Sequence, residues 1–453
     1  MKNYKKLELI LNLKTLFSKS QILSVLFLKL ISIISTVYIT VYLTNKIGLD
    51  FYGLFEISNR FIAIGILLCA FGFYDYVIRE LSVLVQNENT EKIPETIYPV
   101  IILALSLFII LCVIILFNQN YILSVYFENK INSTTLTLIL LIIFINIFNK
   151  ILANIFLVKE KFTKNQFTLS FFNLPFCIIL LSTVDYLNLL DFTLNIVLIF
   201  LLISNFIGLL YTTFFLRKEL SILNFELKNL NYIYPMKAVS ILLLIGLFHN
   251  ISTQGDLLIF KLNLSIEQIA AYSICLKIGS AILLLHSTLI PLISPRISRY
   301  YAVGDYQKIQ SLLRISSTSV FFISLSYSIL IFLYCDEILE LWNVNTIEMK
   351  LLLSIILLAN LIETLTGACG FTLIATKNEK QLLLITLTSS VIGVFLMFYL
   401  SKNYGMIGAS LSYLLTVFLN NTIKVIYLWH KLNIISTPTL MLKKEINYLM
   451  KKI

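Results

Sequence analysis

The sequence predicts an all-α, polytopic membrane protein with about 12 transmembrane helices, built as two pseudo-symmetric six-helix lobes around a central cationic cleft. Three observations predict it. The 453-residue chain is 58% hydrophobic and only 13% charged, with a mean hydropathy of +0.89, a balance that soluble domains do not have. The apolar residues gather into runs of the roughly 20 residues a bilayer core needs. The two halves also carry the same helix with a cation at the same place. YGLFEISNRFIAIGILL at 52–68 and IAAYSICLKIGSAILLL at 269–285 are offset by 217 positions, which sets Arg60 on Lys277.

The runs place spans near 20–44, 53–75, 97–117, 133–157, 166–184, 191–216, 235–259, 269–293, 315–335, 351–374, 381–400 and 405–428. The cuts between spans 5 and 6 and between spans 11 and 12 are the least sharply marked. The first run is too long for a signal-peptide core and no small-residue cleavage site follows it, so it reads as a retained span. None of the segments shows the dyad alternation of an outer-membrane barrel.

Loop charge sets the orientation. With the N-terminus inside, Lys46, Lys130, Lys261, Lys350 and Lys402 fall outside. Lys29, Arg60, Lys150, Lys237, Lys277 and Lys424 fall within spans, and the other 24 of the 35 Lys and Arg lie on the cytoplasmic side. That is a positive-inside pattern with both termini cytoplasmic. It also accounts for the net charge of +11 without nucleic acid, because anionic lipid attracts the same residues. No loop is long enough to fold as a soluble domain, and no GxxxxGK[ST] is present, so the chain is not an ATPase by itself. The six cysteines lack paired spacing and read as small buried hydrophobes, not disulfides or metal ligands.

The offset of 217 extends past the matching helices. It sets Asp50 on Glu267, Arg79 on Arg296, and the exit Lys159–Lys161 of span 4 on Thr376–Asn378 of span 10. Each half has six spans, so the halves share an orientation, as parallel repeats about an axis along the membrane normal do. The expected lobes are 1–220 and 221–453.

A cation in lipid costs several kcal/mol, so a duplicated one points to a bound anion. Arg60 lies roughly 10 Å below the outer surface at 1.5 Å per residue. Glu56, four residues earlier, shares its face and offers a purely structural partner. Lys277 has Ser273 at that position, so no acid on its own helix neutralises it, and a cavity-facing role follows. Lys29 has only Val25, Leu26, Ser32 and Ile33 at i±3 and i±4. It either faces the bundle interior or snorkels.

Span 4 carries Asn146, Asn149, Lys150 and Asn154 on one face, and span 10 carries Asn360, Glu363, Thr364 and Gly367. Interhelical hydrogen bonding explains the asparagines, whereas Glu363 is an ionisable group near mid-membrane. Asp256 either senses an ion gradient or pairs with Lys261. His249, close to Asn250 and Gln254, reads as a hydrogen-bonded core group before a proton relay. Lys237 and Lys424 read as snorkelling side chains. Tyr52, Tyr98, Tyr121, Tyr234 and Tyr272 sit near span ends, as interfacial belts do. No nucleophile with its base, metal cluster or redox pair is evident, so the expectation is a non-enzyme without cofactor or metal.

Several segments together resemble one family. They are the basic start, the outer loop ending GLDFYGLFEI, the exit YDYVIRELS, their later counterparts LSIEQIAAYSI and PLISPRISRYYAVGD, and QGDLLIF of span 7. The chain is similar to polysaccharide biosynthesis flippases (Wzx type), the O-antigen and capsule translocases of the multidrug/oligosaccharidyl-lipid/polysaccharide exporter superfamily. The resemblance covers nearly the whole chain through diffuse motifs. It implies alternating access between the lobes and a cargo of oligosaccharide on undecaprenyl diphosphate, flipped to the periplasmic leaflet of a bacterial inner membrane. It implies a polysaccharide polymerase and a chain-length regulator as partners.

The chain also resembles peptidoglycan-precursor flippases, in which basic residues of spans 1, 2 and 8 line the cavity. Lys29, Arg60 and Lys277 match those by span and depth. Those relatives have two further spans, which argues against that cargo. The substrate-binding expectation is therefore Lys29, Arg60 and Lys277, with Asp256 and Glu363 for ion coupling. The alternative is a drug/cation antiporter of the same superfamily, which would put acids in the cleft. A polymerase or ligase acting on the same lipid-linked sugar would need a sizeable outer loop.

Overall fold

A computed structural model describes residues 19–70, 93–159, 161–187, 192–220, 244–248, 256–344, 346–439 and 441–450, with residues 73, 77, 78, 81 and 84. The described chain is almost entirely helical, with no strand. Its helices are α1 (Lys19–Lys46), α2 (Leu49–Ala70), α3 (Ile93–Phe117), α4 (Gln119–Val125), α5 (Ser133–Val158), α6 (Phe162–Gln166), α7 (Leu174–Tyr186) and α8 (Leu194–Leu220). Then follow α9 (Asp256–Phe260), α10 (Ile266–Ser280), α11 (Leu283–Ala302), α12 (Tyr306–Leu333), α13 (Cys335–Glu340), α14 (Ile347–Thr366), α15 (Cys369–Ala375), α16 (Glu379–Leu432) and α17 (Leu442–Met450). Among the described residues, eight helices are long and apolar enough to cross a membrane, nine with the bent pair around Phe171 and Leu174. The polytopic, all-helical class follows directly.

Elements meet the predicted spans with several differences: span 8 is divided between α10 and α11 and span 10 between α14 and α15, and three more concern spans 5, 7, 11 and 12. Span 5 is broken. A π-turn at Phe167–Phe171 precedes α7, and the two pieces meet at 44°. Pro175, in the first turn of α7, lacks an N–H and clashes with the carbonyl four residues back, which breaks the hydrogen-bond ladder there. Spans 11 and 12 form one 54-residue element with a break at Gly405. Most of span 7, including Lys237, His249, Asn250 and Gln254, lies outside the described residues, as does Arg79.

Helix boundaries keep the offset of 217. Leu49 opens α2 and Ile266 opens α10; Val158 closes α5 and Ala375 closes α15; Phe162 opens α6 and Glu379 opens α16. The C-caps at Lys159 and Thr376 have nearly equal dihedrals, φ −91° and ψ 17° against φ −100° and ψ 16°. The repeat in the sequence is thus a repeat of helices.

Two compact units divide the chain. The first comprises Met1–Tyr42, Gly65–Gln119 and Ile131–Val239. In it α5 packs along α8 through polar bonds: Asn149 Nδ2 donates to Asn205 O at 2.8 Å, and Thr135 to Asn195 Oδ1 at 2.6 Å. Asn165 donates to Ala153 O at 2.9 Å, while Asn146 bonds back to Ile142 O of its own helix. Asn149 therefore does the interhelical work expected of it, whereas Asn146 bonds within its own helix. Within helix α3 the stretch Thr96–Phe117 is strongly apolar, yet only 17% of its most apolar part is buried. Its apolar surface is a lipid-facing one, because packing does not cover it.

The second unit comprises Leu43–Ile64, Asn120–Lys130 and Ser240–Ile453. Three of its helix starts are capped by side chains: Ser265 with Gln268 in a capping box, Asp305 on Lys308 N, and Thr346 on Met349 N, each satisfying orphan amides. The loop after α4 is held by charge. Lys130 Nζ lies 2.5 Å from Asp50 and 3.5 Å from Glu128, and Lys261 Nζ lies 2.8 Å from Glu128. The turn needs this support, since Glu128 and Asn129 have φ of 50° and 56°, where a Cβ crowds the backbone.

The Lys261 hydrogen bond holds the Glu128 carboxyl below its usual value, and the Asp50 bond holds the Lys130 ammonium above its own. A depressed carboxyl stabilises the fold above its unfolded pKa, and that contribution is lost as pH falls through the folded value. A raised ammonium stabilises below its unfolded pKa and is lost as pH rises through the folded one. Thermal unfolding of purified Glu128→Gln is expected to show a deficit at pH 7 of about 0.2–1 kcal/mol. The deficit closes as pH drops below the usual carboxylate range; an equal deficit at every pH contradicts the assignment.

Candidate functional site

The second unit gathers four ionisable groups at the contact of α2 with α10. Tyr52, Glu56 and Arg60 are spaced four apart along one face of α2, and Ser273 and Lys277 repeat that spacing on α10. Lys277 Nζ donates to Glu56 Oε1 at 2.5 Å and to Tyr52 Oη at 2.9 Å. The Tyr52 and Ser273 hydroxyls share a hydrogen bond of 3.0 Å. The Tyr52 ring centroid lies 5.2 Å from the ammonium. Close approach of the two backbones makes this possible: a Cβ on Gly53 would stand 2.4 Å from Ile266 O.

Tyr52 and Glu56 thus meet the α10 residues 221 positions on, Ser273 and Lys277, one turn beyond their repeat counterparts. The symmetric mate of Glu56···Lys277 would be Ser273···Arg60, where the second copy supplies no carboxylate. Asp256 stands in for it, with Oδ1 3.9 Å from Arg60. That oxygen also accepts the Leu257 N–H at 2.7 Å. Two acids therefore face two bases. The cluster is deep: the Asp256 and Glu56 side chains are 0% and 4% exposed, Arg60 14% and Lys277 28%.

The structure brings Arg60, Lys277 and Asp256 together, and it corrects how they are balanced. Lys277 is not a cation without a counter-charge, because Glu56 of another helix reaches it. Glu56 serves Lys277, so the internal pair with Arg60 is not the arrangement seen. Asp256 does not pair with Lys261, which goes to Glu128. Tyr52 and Tyr272 are not belt residues: both are wholly buried, Tyr52 against Lys277 and Tyr272 edge-on to Phe260 at 5.1 Å.

Glu363 lies in the same unit on α14, half-buried, and interacts electrostatically with Lys424 of α16. Lys424 does not snorkel. It is 7% exposed, and its Nζ stands 3.9 Å from where a Cβ on Gly370 would be. Lys29 is half-buried on α1, in the first unit. Sequence reasoning missed Tyr52 and Ser273 as site residues, although their four-residue spacing from Glu56 and Lys277 was a usable signal. The same region holds Tyr413, which donates to Asn360 Oδ1 at 2.9 Å. Asp256 Oδ2, Tyr272 Oη and Asn360 Nδ2 are buried there without a hydrogen-bond partner.

The sequence matches no protein-family model and no curated protein. Solved structures do match the fold. One is an inward-facing multidrug resistance MATE family transporter of the MOP superfamily, with TM-score 0.66 and 12% identity, covering 89% of this chain and 94% of that one. Another is the lipid II flippase MurJ in an inward closed conformation, with TM-score 0.66 and 16% identity over 95% and 90%. A third is a MOP superfamily transporter from Pyrococcus furiosus, described by the reverse polarity of its binding pocket, with TM-score 0.62 and 13% identity over 95% and 96%. The chain has the fold these transporters share.

Removing one partner of a buried pair strands the other charge, at about 3–5 kcal/mol. Glu56→Gln and Lys277→Met are each expected to lower the thermal midpoint of the purified protein. The double variant is expected to be closer to wild type than the sum of the two losses. Strictly additive losses contradict the pairing.

Proposed function

We propose that this chain is a flippase that moves an oligosaccharide on undecaprenyl diphosphate from the cytoplasmic to the periplasmic leaflet of a bacterial inner membrane. It would work by alternating access of two six-helix lobes. The observation that carries the reading is the duplicated cation. Equivalent helices of the two repeats bring Arg60 and Lys277 into one buried cluster, at a depth where lipid cannot solvate a diphosphate. The shared fold with a lipid II flippase supports a lipid-linked cargo.

The cluster's charge balance dictates how an anion would bind. Both cations already hold carboxylates, so a diphosphate binds by exchange, taking Lys277 from Glu56 and Arg60 from Asp256. Exchange suits transport, since a site that bound the cargo without competition would be slow to release it. In this reading Lys29 adds a third cation along the path, and Asp256 and Glu363 are the acids through which an ion gradient couples. The lipid tail stays in the bilayer throughout.

One observation favours the second reading, a drug/cation antiporter: Glu56 and Asp256 are themselves deep acids. Complementation separates the two in a strain whose surface polysaccharide depends on this chain. Arg60→Ala, and Lys277→Ala combined with Glu56→Gln to avoid a stranded acid, are expected to cut surface polysaccharide at least about tenfold at normal membrane levels. Glu56→Gln alone retains it. Full complementation by both neutral variants sinks the anion reading. Drug resistance on overexpression that Glu56→Gln abolishes would establish the antiporter.

A further inference from the structure

After α16 the chain turns back over the second unit. Asn433 ends the helix in the left-handed region at φ 53°. Ile434 is fully buried in an apolar cluster with Ile293, Ile297, Ile309, Leu313 and Ala368. Ile435 N–H donates to Gln310 Oε1 at 2.9 Å. Ser436, also fully buried, donates to Thr366 O at 2.8 Å and lies 3.1 Å from Cys369 Sγ. Thr439 N–H donates to Thr318 Oγ1 at 2.9 Å. Glu445 of α17 then accepts the Ser311 hydroxyl at 2.5 Å and Arg314 at 2.9 Å.

These contacts converge on a break. Thr366 is the last residue of α14 and Cys369 the first of α15. Between them Gly367 has φ 71°, and a Cβ there would lie 3.0 Å from Ser317 and 3.2 Å from Ser436 O. Only glycine takes that conformation in that space. In the first repeat the matching helix α5 runs unbroken from Ser133 to Val158, through Asn149 and Lys150, the counterparts of Thr366 and Gly367. The break therefore belongs to the second copy alone. Its freed carbonyl at Thr366, which needs a partner when buried, takes the Cys369 thiol at 2.8 Å from within the break and the Ser436 hydroxyl at 2.8 Å from the segment that follows the second copy's last helix.

We propose that residues 433–439 and 441–450 are a clamp that holds the α14–α15 break closed, fastened by the Arg314–Glu445 pair. That pair is the charged contact among those named, with side chains 24% and 10% accessible, while Ile434 and Ser436 are sealed. Behind the break lies Gly370, beside the Lys424 ammonium. Release of the clamp gives water a route to the Lys424 ammonium, so the clamp sets when that charge is hydrated. The inference stands whatever the cargo is.

Thiol alkylation of the full chain in liposomes tests it, with N-ethylmaleimide as probe and peptide mass spectrometry as readout. In wild type, Cys369 is protected. In Glu445→Lys its alkylation is expected to rise about tenfold by local opening, while Cys275, buried in α10, stays unchanged. The swap Arg314→Glu with Glu445→Arg restores protection. Ser436→Ala, which keeps every charge, also exposes Cys369 and decides the matter should Glu445→Lys fail to insert. Cys369 as protected as wild type in the variants overturns the clamp, and so does Cys275 rising in step with it.

Discussion

An ammonium group in the interior of a membrane must find water or an opposite charge, and Lys277 finds Glu56. The rest of the site is arranged around that need. The two helices must come close enough for the pair to form, which Gly53 permits. The remaining donors of the ammonium need acceptors, and Tyr52, itself tied to Ser273, supplies one. A buried ion pair is weak evidence of stability, because desolvation offsets most of the attraction. It is better understood as a device that ties a helix of the first repeat to its counterpart in the second.

Duplication explains the geometry and divergence explains the chemistry. Two like helices contacting about a pseudo-two-fold would make the same bond twice. Here they make it once, because Ser273 occupies the place of Glu56. Arg60 then draws on Asp256 at 3.9 Å, a longer and looser contact than the 2.5 Å bond of Lys277. The copies differ again where α5 is continuous and α14–α15 is broken. The first copy contributes the acid that pairs across, and the second contributes the break and the segment that covers it.

Much of this was legible in the sequence, and the limits have physical causes. Apolar runs found the helices because bilayer thickness fixes their length. The constant offset found Arg60 and Lys277 as equivalents before any contact was known. Partners were harder to read. The i,i+4 rule sees only a residue's own helix, so it offered Glu56 to Arg60 and left Lys277 bare, whereas packing between helices made the opposite choice. Tyr52 and Tyr272 resembled belt residues because depth along the chain does not reveal which face a side chain takes. Lys424 resembled a snorkelling lysine for the same reason. The broken fifth span was signalled by Pro175, a cue that hydropathy averages away.

Equilibrium binding of undecaprenyl diphosphate to the purified chain in lipid nanodiscs tests the central claim most directly. The account predicts saturable binding that added inorganic diphosphate competes away and that Arg60→Gln weakens by about tenfold, the worth of one desolvated charge contact. Binding of equal strength in Arg60→Gln, or none to the wild-type chain, would contradict it.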